Sequence, residues 1–153
     1  MALVFVSLLG LFVGIFFSRD IEYAAFRLFG SPVDVGSYRI DVAPGWMPVA
    51  ARSAKGIQTV VLERVIDTDR AGPPRRLTIS NRRTDVPDSI RASAPRVTRD
   101  WGVLVLLSPN ASFDGIADQP RAPGVAVFQE SLSVGYSALD DLAAVQAIRH
   151  RAQ

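Results

Sequence analysis

The stretch SYRIDVAPGWMPVAARSAKGIQTVVLERV (residues 37–65) is the most informative about the fold of this chain, because it contains two β-strand patterns. Tyr38, Ile40 and Val42 alternate with charged residues, which is typical of a half-buried β-strand. Residues 56–66 are rich in β-branched side chains and predict a second strand. A Pro-Gly-Trp turn lies between the two, so we expect a sheet domain to begin here.

This stretch resembles the opening hairpin of PsbP-like domains, an α+β family that includes a photosystem extrinsic subunit and bacterial envelope proteins. The resemblance implies a non-catalytic domain that binds or stabilises a larger assembly, and it carries over no catalytic residue. This chain departs from the family pattern at its C-terminus, where we predict a helix. The matching residues are Tyr38, Ile40, Val42, Pro44, Gly45, Trp46, Val60, Val61 and Leu62.

The remainder of the domain alternates strands with one short helix. Residues 75–83 predict a third strand with Leu77 and Ile79 on one face, and residues 102–107 and 125–134 predict further strands. Between them, a helix is expected to begin at Pro87, a favoured first-turn residue, and to bend or end at Pro95.

Residues 137–152 (SALDDLAAVQAIRHRA) predict a C-terminal helix. Ser137 with Asp140 has the spacing of a capping box, and the basic side chains at 149–151 suit the negative end of a helix dipole. We therefore predict the α+β class: an N-terminal transmembrane helix followed by one mostly antiparallel sheet domain with a C-terminal helix.

The transmembrane prediction rests on residues 2–17, a run without charge and with nothing more polar than Ser7. No Lys or Arg precedes the run and no A-x-A-like cleavage site follows it, so an uncleaved anchor is favoured over a signal peptide. Gly10 and Gly14 form a GxxxG, which predicts close packing with another helix, from a protein partner or a second copy.

A second helical stretch follows at residues 18–29 and ends at a Gly-Ser-Pro breaker. Its apolar residues recur at helical spacing on one face, so we expect this face to lie at a membrane surface or to pack on a neighbour. The residues of the face are Ile21, Ala24, Ala25, Leu28 and Phe29.

The predicted organisation is an anchor with a juxtamembrane helix over residues 1–30, a linker over 31–36 and a soluble domain over 37–153. Arg19 and Arg27 both follow the apolar run, which by the positive-inside rule places the domain in the cytoplasm. Small single-pass proteins of this layout more often export their domain. We expect a single-pass membrane protein with a periplasmic domain, and the cytoplasmic side stays open.

Charge is segregated along the chain. Residues 70–99 hold eight Arg against two Asp (+6), whereas residues 100–148 hold one Arg against six acidic residues (−5). Arg76, Arg82 and Arg83 could bind phosphate, carboxylate or lipid head groups, because guanidinium binds such anions bidentately. Internal pairing with the acidic half of the chain is the alternative.

The residue inventory excludes several kinds of chemistry. The chain has no Cys, and its one histidine, His150, has no second His or Cys with which to share a metal. No catalytic residue, metal or cofactor is predicted. Nucleic acid is disfavoured by a net charge of only +2 and by the lack of aromatic residues among the arginines.

These observations favour a membrane-anchored accessory or assembly subunit whose domain binds a protein partner in an envelope complex. Candidate binding residues are the three arginines above together with Trp46 and Phe113, the latter within a long Pro-rich loop at 108–124. A tethered domain that binds a small anion or lipid head group through the Arg-rich strand is the alternative function.

Overall fold

The structure is a computed structural model that describes residues 21–65, 74–107 and 124–151. Of these residues 54% lie in strands and 21% in helices, so β-structure dominates. Within the described residues, helix α1 covers 21–29, α2 covers Asp88–Ser93, and a 3₁₀ helix covers Leu139–Ala144. The strands are β1 Ser31–Val35, β2 Tyr38–Val42, β3 Trp46–Ala54, β4 Ile57–Arg64, β5 Arg76–Ser80, β6 Arg96–Arg99, β7 Gly102–Leu107, β8 Gly124–Phe128, β9 Leu132–Tyr136 and β10 Val145–His150.

A small antiparallel sheet has the order β1-β2-β10. Buried and more exposed residues alternate along β1 and β2, because side chains two residues apart share a face of a strand. Val33 and Val35 of β1 and Ile40 of β2 are buried, whereas Asp34 and Arg39 point to the opposite face and are exposed.

A larger antiparallel sheet has the order β3-β4-β5-β9-β8-β7-β6. Two runs of neighbouring strands, β3 to β5 and β6 to β9, are joined where β5 pairs with β9. This pairing places Leu77 opposite Tyr136 and Ile79 opposite Val134, across more than fifty residues of chain. The two edges of the sheet are β3 and β6.

One hydrophobic cluster joins the two sheets, with Ile40 from the small sheet and Leu62, Leu77 and Val134 from the large one. A second cluster lies on the other face of the large sheet, where Val86, Leu107, Val125 and Val127 pack together with Ile90 of α2. Strand β8 is therefore buried on both faces.

The predicted fold class is wrong. There are two sheets rather than one, and the segment expected to be the C-terminal helix contains a short 3₁₀ helix and then strand β10. Within the three described ranges, no helix combines the length and apolar character needed to cross a bilayer. Residues 2–17, the expected transmembrane helix, lie outside the described residues.

Tertiary pairing explains why β10 is a strand. Val145 lies opposite Val42 and Ile148 opposite Ile40, so both enter the core while β2 gains its second neighbour. Helix propensity is a weak preference that such burial overrides. The expected capping by Ser137 and Asp140 is wrong as well: the Ser137 hydroxyl bonds to the Arg76 backbone, and the Asp141 carboxylate accepts from the Ala138 N–H, which is only half of a capping box because alanine has no side-chain acceptor.

Other expectations fare better. The third strand appears as β5, and α2 begins directly after Pro87 and ends before Pro95. Residues 31–35, expected within a linker, form β1. Proline is tolerated on an edge strand, and Pro32 lies on the edge strand of the small sheet.

Candidate functional site

The hairpin of β3 and β4 extends beyond the rest of the large sheet. Residues 49–58 are all exposed, in contrast to Trp46 and Leu62 at the base of the same hairpin. The two-residue turn consists of Lys55 and Gly56, both with positive φ (51° and 79°), as a type I′ turn requires.

The hydrogen bonds of β4 show which backbone groups of β3 point outward, away from β4. Gln58 donates its N–H to Asn81 Oδ1 (2.6 Å), and its carbonyl accepts from the Asn81 N–H (3.2 Å), so both Gln58 groups point away from β3. In an antiparallel ladder the directly opposite residue then also points away, and the opposite residue is Ser53. By the period of two, Ala51 points outward as well.

Ala51 and Ser53 thus present two N–H groups and two carbonyls along the outer side of β3. The described residues supply no hydrogen-bond partner for these four groups. The ladder changes register between Pro48 and Ala50, and Pro48 has no N–H to donate, which sets the lower limit of the open segment. We define Val49–Ala54 as the open edge of β3.

Charge at the open edge is positive. Arg52 and Lys55 are exposed and form no ion pair with any described residue. Val49 and Ile57 add two exposed apolar side chains close to them. The edge therefore combines unpaired backbone groups, two cations and some apolar surface.

The opposite edge of the sheet, β6, differs. It has only four residues, follows Pro95, and carries arginine at both ends, Arg96 and Arg99. Short strands, proline and charge are the devices by which native sheets prevent pairing at an edge. Strand β3 also contains a proline, a register shift and Arg52, but it is longer, and the proline and the shift lie at Pro48–Ala50; beyond them no described residue pairs with the outer side of Ala51 or Ser53.

The predicted anion-binding arginines do not converge on one site. Arg76 pairs with Glu63 (Nη2 to Oε1 2.5 Å) on the neighbouring strand, and Arg83 pairs with Asp85 (3.0 Å). The backbone N–H of Arg82 donates to Ser80 Oγ (3.3 Å). Anion binding by these three residues stays a prediction.

Among the described residues, internal pairing between the basic and acidic halves occurs at two places. Arg75 Nη2 lies 2.5 Å from Asp141 Oδ1, and Arg91 pairs with Glu130. The Arg91 pair links α2 to the turn between β8 and β9, where Gln129 and Glu130 both have positive φ (48° and 59°). Two arginines of the basic segment therefore serve the fold itself.

The remaining candidate residues are placed as follows. Trp46 is 4% exposed and belongs to the core, so it offers no surface to a partner. Phe113, Gly10 and Gly14 lie outside the described residues. The open edge of β3 was not singled out from the sequence, where only the Lys-Gly turn inside the quoted stretch could have indicated a hairpin tip.

Polar groups elsewhere are engaged in packing. The Tyr38 hydroxyl bonds to Ser131 Oγ, and the rings of Tyr38 and His150 lie 4.6 Å apart. Burial raises the pKa of the Tyr136 phenol above 10.0 by disfavouring its charged form. Among the described residues, no three His, Cys, Asp or Glu side chains come close enough to hold a metal ion.

Comparison of the chain with family models, curated proteins and solved structures finds no match.

Proposed function

We propose that this chain is an accessory or assembly subunit whose β-domain binds a protein partner by accepting an extended segment at the open edge of β3. The observation that carries the proposal is the row of backbone groups at Ala51 and Ser53, on an exposed strand, that find no hydrogen-bond partner in the described part of the chain. An added strand satisfies such groups with main-chain hydrogen bonds, and its alternate side chains provide specificity.

Charge identifies the chemistry of the partner segment. Arg52 and Lys55 are cations without an ionic partner among the described residues, so a segment that carries Asp or Glu is favoured over a basic one. A second copy of this strand would instead bring like charges together, because Arg52 is the one charged residue in β3.

The resemblance of residues 37–65 to PsbP-like domains supports the same class of function, since it implies binding to a larger assembly. The membrane location expected from residues 2–17 stays a prediction, and strand addition at β3 does not depend on it.

Site-specific photo-crosslinking in cells that express the full chain tests the proposal. A photoreactive residue at Ser53 should crosslink to one partner, and peptide mapping should locate the crosslink in an extended acidic segment. A photoreactive residue at Ala92, which is exposed on α2, is the matched control and should give no such product.

Ala51→Pro should abolish the Ser53 crosslink, because it removes an outward N–H at an edge position where proline does not interrupt the native ladder. Ala51→Thr keeps the N–H and should preserve the crosslink. The proposal fails if folded Ala51→Pro protein, judged by circular dichroism, crosslinks as well as the parent chain, or if Ser53 crosslinks only to other copies of this chain.

A further inference from the structure

We propose that the outer face of α1 lies on a lipid bilayer, in the plane of the membrane surface. This face consists of Ile21, Ala24, Ala25, Leu28 and Phe29, and all five residues are exposed. Ile21 is 59% exposed, Leu28 67% and Phe29 82%, values that are high for large apolar side chains. The inference concerns a surface other than the open edge of β3.

The other side of α1 is attached to the domain, which fixes the direction of the apolar face. Tyr23 and Phe26 are half-buried. The Tyr23 hydroxyl donates to the Val65 carbonyl (3.4 Å), and the Phe26 carbonyl accepts from the Gly45 N–H (3.1 Å). The helix therefore sits on the end of the β3–β4 pair with its apolar residues turned away from the core.

The composition of the chain that leads into α1 indicates that lipid is the occupant of this face. Residues 2–17 are sixteen uncharged residues, and only three residues, 18–20, separate them from Ile21. If residues 2–17 only packed against the apolar face of α1, most of their own apolar surface would stay in water. A lipid bilayer can bury that surface together with the face of α1, because an amphipathic helix at the membrane boundary buries its apolar face among the head groups and upper acyl chains.

The absence of cysteine permits a direct test with single-cysteine variants of the full chain. Phe29→Cys and Leu28→Cys are labelled with an environment-sensitive fluorophore and mixed with phosphatidylcholine vesicles, with and without phosphatidylglycerol. We expect a blue shift and a loss of fluorescence when the lipids carry nitroxides on their acyl chains. Ala51→Cys, on the hairpin, is the matched control and should show neither.

Three results would overturn the inference. The chain does not bind the vesicles, or the vesicle-bound chain shows no nitroxide quenching at positions 28 and 29, or the labels shift to the blue without quenching. The last result would mean that protein, not lipid, covers the face. Replacement of these two residues leaves the core intact, since both side chains are mostly in solvent.

Discussion

Asp141 is the one charged residue that is buried among those described, with its side chain 1% exposed. One carboxylate oxygen accepts from the Ala138 N–H (2.9 Å), and the other lies 2.5 Å from Arg75 Nη2. A buried carboxylate is tolerated only when it is paired. The ion pair with Arg75 therefore offsets the cost of burying Asp141 rather than adding net stability. The pair fastens the 3₁₀ helix to the start of β5.

We expect Asp141→Ala to lower the free energy of unfolding by about 2–4 kcal/mol, because it removes both interactions and leaves the partly buried Arg75 uncompensated. Urea denaturation followed by circular dichroism measures this loss. Asp140→Ala, at the exposed neighbouring position, should change stability by no more than about 0.5 kcal/mol. Equal effects of the two substitutions would contradict the assigned role.

At the scale of elements, the Asn81 amide ties the exposed tip of the β3–β4 hairpin to the end of β5. Asn81 follows β5 and continues its pairing with β4 through a side chain. Its Oδ1 accepts from the Gln58 N–H, and its Nδ2 donates to the Gly56 carbonyl (3.2 Å). Gln58 in turn accepts from the Gly36 N–H (2.8 Å), which joins the hairpin to the β1–β2 turn.

Asn81→Ala should loosen the hairpin while the core stays folded. Each lost hydrogen bond contributes about 1 kcal/mol, so amide exchange across residues 50–60 should accelerate several-fold to tens of fold. Hydrogen exchange with mass spectrometry measures the rates. Asn81→Asp retains the acceptor for Gln58 but not the donor for Gly56, and it should give an intermediate rate. Unchanged exchange rates in the alanine variant would show that the hairpin keeps its position without the Asn81 side chain.

At the scale of the whole molecule, the two sheets share one core. Residues of β2 and β10 pack in the same cluster as residues of β4, β5 and β9. Among the described residues the small sheet has no hydrophobic cluster of its own, and the large sheet keeps only the smaller cluster on its other face if the shared one opens. The described part of the chain should therefore unfold as one cooperative unit.

Ile148→Ala tests this cooperativity, because Ile148 is buried in β10 of the small sheet while both tryptophans, Trp46 in β3 and Trp101 between β6 and β7, report from the large sheet. The substitution should cost about 2–5 kcal/mol. Circular dichroism and tryptophan fluorescence should show equal shifts of the denaturation midpoint. Gln146→Ala, exposed on the same strand, should leave both unchanged. Two separated transitions would mean that the sheets unfold independently.

Most strands could be located from local spacing, since alternation is a local property: Ile40 and Val42 are buried as their spacing predicts, and so are Leu77 and Ile79. The boundaries of α2 were equally local, because Pro87 and Pro95 restrict their own backbone.

Three features could not be predicted from local sequence and depend on the tertiary structure: residues 145–150 form a strand, the described residues form two sheets, and Trp46 is a core residue. The tertiary structure also decided that β3 has an open edge. These features depend on which distant strands pair, and β5 with β9 or β2 with β10 leaves no mark in the local spacing of either strand. An unpaired edge is a property of the completed sheet, so no single stretch of sequence specifies it.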